Sequence, residues 1–426
     1  MKIEKLHSLF LECHSVCTDT RKIKKDDLFF ALKGDNFNGN MYAEQALKLE
    51  AKYVIIDETK FDTSSKTILV NNVLETLQKL SAYHRTYLNI PIIALTGSNG
   101  KTTTKELINA ALSQKYNTTA TIGNLNNHIG VPLTLLSMNE NTEVGIVEMG
   151  ANHLKEIEFL CKIAKPDYGY ITNFGKAHLE GFGSIKGVIK GKCELYNYLI
   201  KNSKTIFVNV DDAIQVEKTE KAETFTFSSN DNSSNIYVNF IEAQPFVKTD
   251  YNNIKIQSNL IGDYNFNNIA AAITIANYFK VDDDAIKKAI ENYIPTNNRS
   301  QIIQKKSNKI ILDAYNANPT SMRAALLNFE KQSGNKIAIL GDMFELGNEA
   351  GKEHQNIVDL ATSLNINQLI FVGENFFKSN INSKKVTQYK FFENFKNEFN
   401  LSEIKNTTLL IKGSRGIALE RILDLI

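Results

Sequence analysis

The segment that most constrains this chain is Ala94-Leu-Thr-Gly-Ser-Asn-Gly-Lys-Thr-Thr-Thr104. It follows the apolar run Ile90-Pro-Ile-Ile-Ala-Leu95 and leads into helix-forming sequence from Lys105 onward. A strand, a glycine-punctuated loop and a helix, in that order, make a cradle for phosphate. Gly97 and Gly100, flanking Ser98 and Asn99, let the backbone turn tightly and point its N–H groups inward, and the helix N-terminus adds partial positive charge. Lys101 contributes a full charge, and Thr102, followed by Thr103, offers a hydroxyl to Mg²⁺. A nucleotide triphosphate is the expected guest. The usual phosphate-loop spacing puts a first glycine where this chain has Leu95, so the loop is shorter than that of common GTPases and kinases.

With 426 residues the chain exceeds one ordinary core, and two or three domains are expected. A formal charge of +2, from 49 basic and 47 acidic side chains, gives no general field for nucleic acid, so phosphate binding must be local and the partner a small molecule. Cys13, Cys17, Cys161 and Cys193 include no C-x-x-C pair, and Cys13-His14-x-x-Cys17 lacks the second ligand pair that a zinc site needs. Reduced thiols fit a cytoplasmic enzyme. Charges interrupt the N-terminal Met1-Lys-Ile-Glu-Lys-Leu-His, which argues against a signal peptide, and no apolar run is long enough to span a membrane. A soluble monomer is expected.

The apolar pattern predicts an α/β fold in three parts. Residues 1–86 read as a small α/β domain, with strands at Asp27–Leu32 and Tyr53–Ile56 and a helix at Tyr42–Leu49. Residues 87–297 read as a mostly parallel sheet wrapped by helices, with strands at Ile92–Leu95, Val144–Val147, Tyr168–Ile171 and Ile206–Val210. Residues 224–258 read as a β-rich appendage, followed by helices at Asn267–Phe279 and Asp283–Tyr293. Beyond the turn-rich Pro295 to Asn298, residues 298–426 read as a Rossmann-like domain ending in a helix to Ile426, without a G-x-G-x-x-G after its first strand.

Several polar groups fall at the carboxyl ends of predicted strands, where α/β sheets present ligand groups. Glu148 ends Gly145-Ile-Val-Glu148 and is placed to hold Mg²⁺. His178 follows the next strand; an isolated histidine there is also compatible with a structural role. Asn124, Asn126 and Asn127 sit in the polar loop Gly123–Pro132 and offer amides to a polar substrate. Asp313-Ala-Tyr-Asn-Ala-Asn-Pro319 places a carboxylate, Asn316 and Asn318 after a strand. Lys412-Gly-Ser-Arg-Gly416 joins a strand to a predicted helix, where Ser414 and Arg415 suit a carboxylate or phosphate. Lys192 by itself reads as a lysine on a helix face.

Taken together, Thr96-Gly-Ser-Asn-Gly-Lys-Thr-Thr103, Glu148-Met-Gly-Ala-Asn-His153, Ala177-His-Leu-Glu-Gly-Phe-Gly183, Asn265 with Asn268, and Asp313–Pro319 resemble the Mur ligases of bacterial cell-wall synthesis. The resemblance spans essentially the whole chain and includes Thr18-Asp-Thr-Arg21 and Phe30-Ala-Leu-Lys-Gly34, which look like the family's UDP-binding segment. Within the family the chain looks most like the members that add D-alanyl-D-alanine to UDP-N-acetylmuramoyl-tripeptide. That likeness implies an N-terminal domain for the UDP-sugar, contacted by Thr18, Asp19, Thr20 and Arg21, a central ATPase, and a C-terminal domain for the incoming amine.

Residue by residue, the resemblance implies that Lys101 contacts the terminal phosphates of ATP while Thr102 and Glu148 hold one Mg²⁺. It gives a second Mg²⁺ to His178 and to Lys192 carrying a carbamate. Asn265 and Asn268 look like adenine-side contacts, Arg299 and Asp313 like contacts to ATP phosphate and ribose, and Asn316, Asn318, Ser414 and Arg415 like contacts to the dipeptide. ATP would activate the carboxylate as an acyl phosphate, which the amine attacks with release of phosphate. Two other readings stay open at this point. One is another amide-forming relative, such as the ligase for the third peptide residue or folylpolyglutamate synthase; the other is a nucleotide-dependent switch or kinase, which the short loop and Glu148 with His178 disfavour.

Overall fold

The structure, a computed structural model, describes all 426 residues. Three larger sheets follow one another along the chain, besides a two-stranded ribbon of Lys33–Gly34 with Phe37–Asn38. The first is four-stranded and parallel, in the order Val16–Cys17, Leu28–Phe30, Tyr53–Ile56, Thr67–Leu69. Helix Val73–Leu88 closes it with Leu77 and Leu80. The same helix reaches the second sheet, because Arg85 donates to the carbonyls of Ala164 and Lys165 and pairs with Asp167 at 2.7 Å.

The second sheet has nine strands. Ile92–Thr96 lies between Val144–Glu148 and Tyr168–Ile171, and every pairing there is parallel. The chain therefore leaves Ile92–Thr96 toward both sides of the sheet, which opens a crevice at the strands' carboxyl ends. Every residue of Ile92–Thr96 and of Val144–Glu148 is buried, as a sheet covered on both faces requires.

Residues 224–258 do not form an appendage. Thr224–Ser228 pairs parallel with Thr205–Asn209, Ile236–Glu242 pairs parallel with Thr224–Ser228, and Lys248–Tyr251 and Ile254–Gln257 continue the same sheet antiparallel. The reason lies in their apolar positions. Val238, Tyr251 and Ile256 are buried in one core with Ile269, Ile273, Ile286 and Ile290 of helices Phe266–Tyr278 and Asp283–Asn292.

The third sheet has six strands in the order Gln301–Lys305, Asn308–Asp313, Thr407–Lys412, Asn335–Gly341, Gln368–Val372, Val386–Tyr389. All pairings are parallel except the hairpin of the first two. The expected last α-helix is absent: Arg415–Ile417 and Leu419–Leu425 are 3₁₀ turns. Leu419 and Ile422, both buried, stand three positions apart, the spacing that a three-residue turn aligns on one face. The Lys412–Gly416 stretch consequently runs into 3₁₀ turns, the first of which takes in Arg415 and Gly416, and meets no α-helix N-terminus. No helix is long and apolar enough to cross a membrane.

Candidate active site

The phosphate loop is braced against the loop that follows Tyr168–Ile171, so the N–H groups of Ser98 and Asn99, expected to point inward at phosphate, are donated to Asn173 instead. Ser98 N–H donates to the Asn173 carbonyl and Asn99 N–H to Asn173 Oδ1, each at 3.0 Å. Thr172 Oγ1 and Asn173 Nδ2 donate to the Asn99 carbonyl at 2.6 and 3.0 Å. Both glycines are required by space as well as by conformation. A Cβ on Gly97 (φ +144°) would lie 1.9 Å from Thr172 Oγ1, and one on Gly100 (φ +80°) 2.5 Å from Asn268 Oδ1.

Lys101 folds back on the loop, donating to the Gly97 carbonyl at 2.7 Å, and burial lowers the pKa of its ammonium, with Glu148 opposing and Arg299 adding to the effect. Thr102 Oγ1 donates to Glu148 Oε2 at 2.9 Å, and Asn126 Nδ2 donates to Glu148 Oε1 at 2.7 Å. Helix Lys101–Leu112 thus presents a hydroxyl to a buried carboxylate on the neighbouring strand end. These hard oxygen donors fit Mg²⁺.

Asn265 and Asn268 are both buried behind the loop. Thr104 Oγ1 donates to Asn268 Oδ1 at 2.9 Å, Asn268 Nδ2 donates to Asn265 Oδ1 at 2.8 Å, and Asn265 Nδ2 donates to the Ile261 carbonyl.

Lys192, read from pattern as a helix-face residue, is fully buried. Its Nζ donates to the Ala151 carbonyl at 3.1 Å and lies 5.3 Å from the centre of the Phe182 ring. Burial, reinforced by the charge of Lys101, holds its pKa well below the usual lysine range. A free amine offers Mg²⁺ no oxygen, so Lys192 fits a metal only after gaining a carboxyl group.

The third sheet covers this crevice. Asn318 Nδ2 donates to Asn99 Oδ1 at 2.7 Å, while Asn318 also caps helix Pro319–Glu330. The Arg299 guanidinium stacks 3.7 Å from the centre of the Tyr315 ring, with Nε buried and unpartnered. Lys412 Nζ donates to Asp313 Oδ2 at 2.6 Å. His178 Nδ1 lies 2.6 Å from Glu345 Oε2.

Together these elements enclose a cavity of about 900 Å³. Ser98, Asn99, Gly100, Lys101 and Thr103 line it from the loop, and Asn126, Asn127, Glu148, His178, Asn265 and Asn268 from the rest of the second sheet. Arg299, Asp313, Asn316 and Asn318 line it from the third. Gly97 shapes the loop, Thr102 reaches the site through Glu148, and Lys192 lies buried. Tyr315 and Lys412, which lie in the stretches Asp313–Pro319 and Lys412–Gly416 but had no role of their own in the sequence, also line the cavity.

Other expected site residues lie outside its lining. Arg21 makes a bidentate pair with Asp19 in the first sheet's loop, beside Thr18 and Thr20. Asn124 is exposed. Ser414 is buried, accepting from Phe344 N–H at 2.9 Å, and Arg415 is exposed and paired with Glu420 at 2.9 Å.

A phosphate loop opposed by a strand-end carboxylate, and roofed by a second α/β layer that supplies an arginine and amides, defines a nucleotide-dependent enzyme. Three family profiles match the chain in order: the Mur ligase family catalytic domain over residues 12–91, the Mur ligase middle domain over 95–276, and the Mur ligase glutamate ligase domain over 298–415. The chain belongs to the Mur ligase family.

It is 34% identical to the UDP-N-acetylmuramoyl-tripeptide–D-alanyl-D-alanine ligase of Bacillus subtilis, over 97% of this chain and 93% of that protein. It is 32% identical to the enzyme of the same name from Escherichia coli, over 96% and 92%. The crystal structure of MurF from Acinetobacter baumannii superposes with a TM-score of 0.87 at 28% identity, covering 100% of this chain and 98% of that one.

Proposed function

We propose that this chain is the ligase that joins D-alanyl-D-alanine to the peptide carboxylate of UDP-N-acetylmuramoyl-tripeptide, driven by ATP, in peptidoglycan precursor synthesis. The observation that carries the reading is the shared cavity, in which the phosphate loop of the second sheet faces the Asp313–Asn318 stretch of the third. The full-length likeness to ligases of that name supports it.

The reaction brings an anionic carboxylate to the γ-phosphate of ATP. Lys101 is placed to exchange its bond to the Gly97 carbonyl for the terminal phosphates and so offset the repulsion. Thr102 and Glu148 are the residues to hold one Mg²⁺, and His178 with a carbamylated Lys192 to hold a second. Bound Mg²⁺ supplies charge neutralisation and in-line orientation for phosphoryl transfer. The carboxylate takes the phosphoryl group, giving an acyl phosphate with release of ADP. The dipeptide amine then attacks the acyl carbon and phosphate leaves, with no nucleophilic side chain required.

In this reading residues 1–86 bind the UDP moiety through Thr18, Asp19, Thr20 and Arg21, and residues 87–297 bind ATP. Asn265 and Asn268 contribute on the adenine side and Arg299 and Asp313 at phosphate and ribose. Asn124, Asn126 and Asn127 meet the muramoyl substrate. Residues 298–426 receive the dipeptide through Asn316, Asn318, Ser414 and Arg415. A cytoplasmic monomer is part of the same reading. The test is phosphate release on a substrate panel. Release should require ATP, Mg²⁺, the UDP-muramoyl tripeptide and D-alanyl-D-alanine together; release with a UDP-muramoyl dipeptide and an amino acid, or with a folate, would replace this reading by another amide-forming one.

A further inference from the structure

Glu106 lies five positions beyond Lys101 on helix Lys101–Leu112, yet it does not line the cavity. Its carboxylate is engaged by the segment linking the second sheet to the third. Tyr293 donates its hydroxyl to Oε2, and Asn297 Nδ2 stands 3.0 Å from each carboxylate oxygen. Lys105, the neighbouring cation at 3.6 Å, is itself drawn away by a bond to the Thr121 carbonyl. Linker residues up to Asn297 are thereby fastened to the helix that begins at the phosphate loop.

From the next residue the chain is fastened to the third sheet. Tyr315 N–H donates to the Asn298 carbonyl at 3.2 Å and Ser300 N–H to Asp313 Oδ1 at 3.2 Å. One side-chain bond, Tyr264 to Ser300 at 2.9 Å, crosses back. Asn298 and Ser300 both take left-handed backbone, φ 58° and 51°, on either side of Arg299. Such residues flanking one arginine mark where the chain turns between two bodies. That arginine is the one whose guanidinium stacks on Tyr315 and whose Nε is buried without a partner.

We propose that Glu106 is a positioning residue: by pinning Tyr293 and Asn297 to the phosphate-loop helix it places the pivot between the second and third sheets at Asn298–Ser300 and holds Arg299 over the nucleotide site. The inference rests on the ATP-site reading above for what Arg299 contacts, and on the bonds of Glu106 for how it is held. A misplacement of the order of an ångström at a phosphate contact is enough to slow transfer greatly.

The test is a double-mutant cycle on the full chain, scored by kcat and KM for ATP in phosphate release with both substrates. Glu106→Ala should lower kcat/KM for ATP by about tenfold or more, and Glu106→Gln, which keeps an acceptor oxygen, should restore most of it. In an Arg299→Ala background Glu106→Ala should cost no more than about twofold further, because both changes remove one contact. Losses that multiply, or a Glu106→Ala enzyme within twofold of wild type, would overturn the proposal. Should Glu106→Ala fold poorly, Tyr293→Phe and Asn297→Ala remove the same bonds from the linker side, with the same expectations. Hydrogen exchange of amides 298–301 in the nucleotide-free chain, expected to quicken in Glu106→Ala, decides the anchoring even if wild type releases no phosphate from these substrates; unchanged exchange would refute it.

Discussion

His178 Nδ1 and Glu345 Oε2 stand 2.6 Å apart across the junction of the second and third sheets. Both residues have left-handed backbone, φ 53° and 61°, and Glu180 N–H also donates to the Glu345 carbonyl at 3.1 Å. The same loop is gripped twice more, by Lys176 Nζ to Glu353 at 2.6 Å and by Lys176 N–H to Thr320 Oγ1 at 3.0 Å. The His178 imidazole set against it holds the Glu345 carboxyl below the usual carboxylate range. With Nδ1 turned to Glu345, though not aligned with it as a hydrogen bond, Nε2 is the ring nitrogen left for a ligand.

If His178 holds Mg²⁺, Glu345→Ala should raise the Mg²⁺ concentration for half-maximal activity by about tenfold, the usual effect of removing a partner behind a metal-bound histidine. Glu345→Gln, which keeps an acceptor, should fall between. A Mg²⁺ titration of phosphate release checks this, and superimposable curves would detach Glu345 from the site.

Lys101→Ala should reduce ligation by at least about a hundredfold, since a cation at the transferring phosphate acts on the transition state. Its Nζ bonds only loop carbonyls, Gly97 and Ser98, so the melting temperature should change little. Activity within tenfold of wild type would remove the phosphate-cradle reading.

How far the sequence reached depends on distance along the chain. The phosphate loop was legible because strand, glycines, lysine and helix are consecutive, and Glu148 because it ends an apolar run. Lys412 was not, since it earns its place by sitting in register with Asp313, 99 positions away, a pairing that no local pattern contains. Glu345 is hidden in the same way, its partner lying in another sheet. In residues 224–258 the alternation gave strands correctly but could not say that they extend an existing edge. Lys192 misled the periodicity, because a charged residue normally marks the exposed face and here it is fully buried.

Arg415→Ala should raise KM for the dipeptide by about tenfold with a smaller change in kcat, as loss of a charge-assisted bond to a substrate carboxylate does. Arg415 is exposed and paired with Glu420, so reaching the dipeptide requires exchanging that partner. An unmoved KM would exclude Arg415 from the dipeptide site.

A buried histidine pair joins helix Ile3–Leu11 to helix Val73–Leu88. His84 bonds the Met138 carbonyl through Nε2, so its Nδ1 accepts from His7 Nε2 at 2.9 Å, with Phe10, Tyr83 and Tyr87 packed around the pair. Burial first, then the neighbouring His84, lowers the pKa of His7 to about 4, and burial lowers that of His84. The unfolded chain binds protons at these sites near pH 6.5 while the folded chain resists them, so their contribution is complete above 6.5 and declines as pH falls toward 4. Melting temperatures should drop over that window, and less steeply in His7→Gln. Equal slopes would show that the pair does not titrate on unfolding.

The remaining prediction concerns Lys192. An ordinary lysine, with a pKa of ~10.4, would be a cation, and a cation beside Mg²⁺ is repelled by it. Complete burial with a single carbonyl partner favours the neutral amine, the form that adds CO₂ to give a carbamate with two oxygen ligands for Mg²⁺. If that modification forms, Lys192→Ala should be nearly inactive and partly rescued by a small carboxylate such as acetate, and intact-mass measurement of the wild type in bicarbonate under mild conditions should detect the added CO₂. Burial alone would also make Lys192→Ala harmful to stability, so rescue is the decisive arm, because acetate can replace a ligand but cannot refill a core. Full activity of Lys192→Ala in CO₂-depleted buffer would eliminate the carbamate.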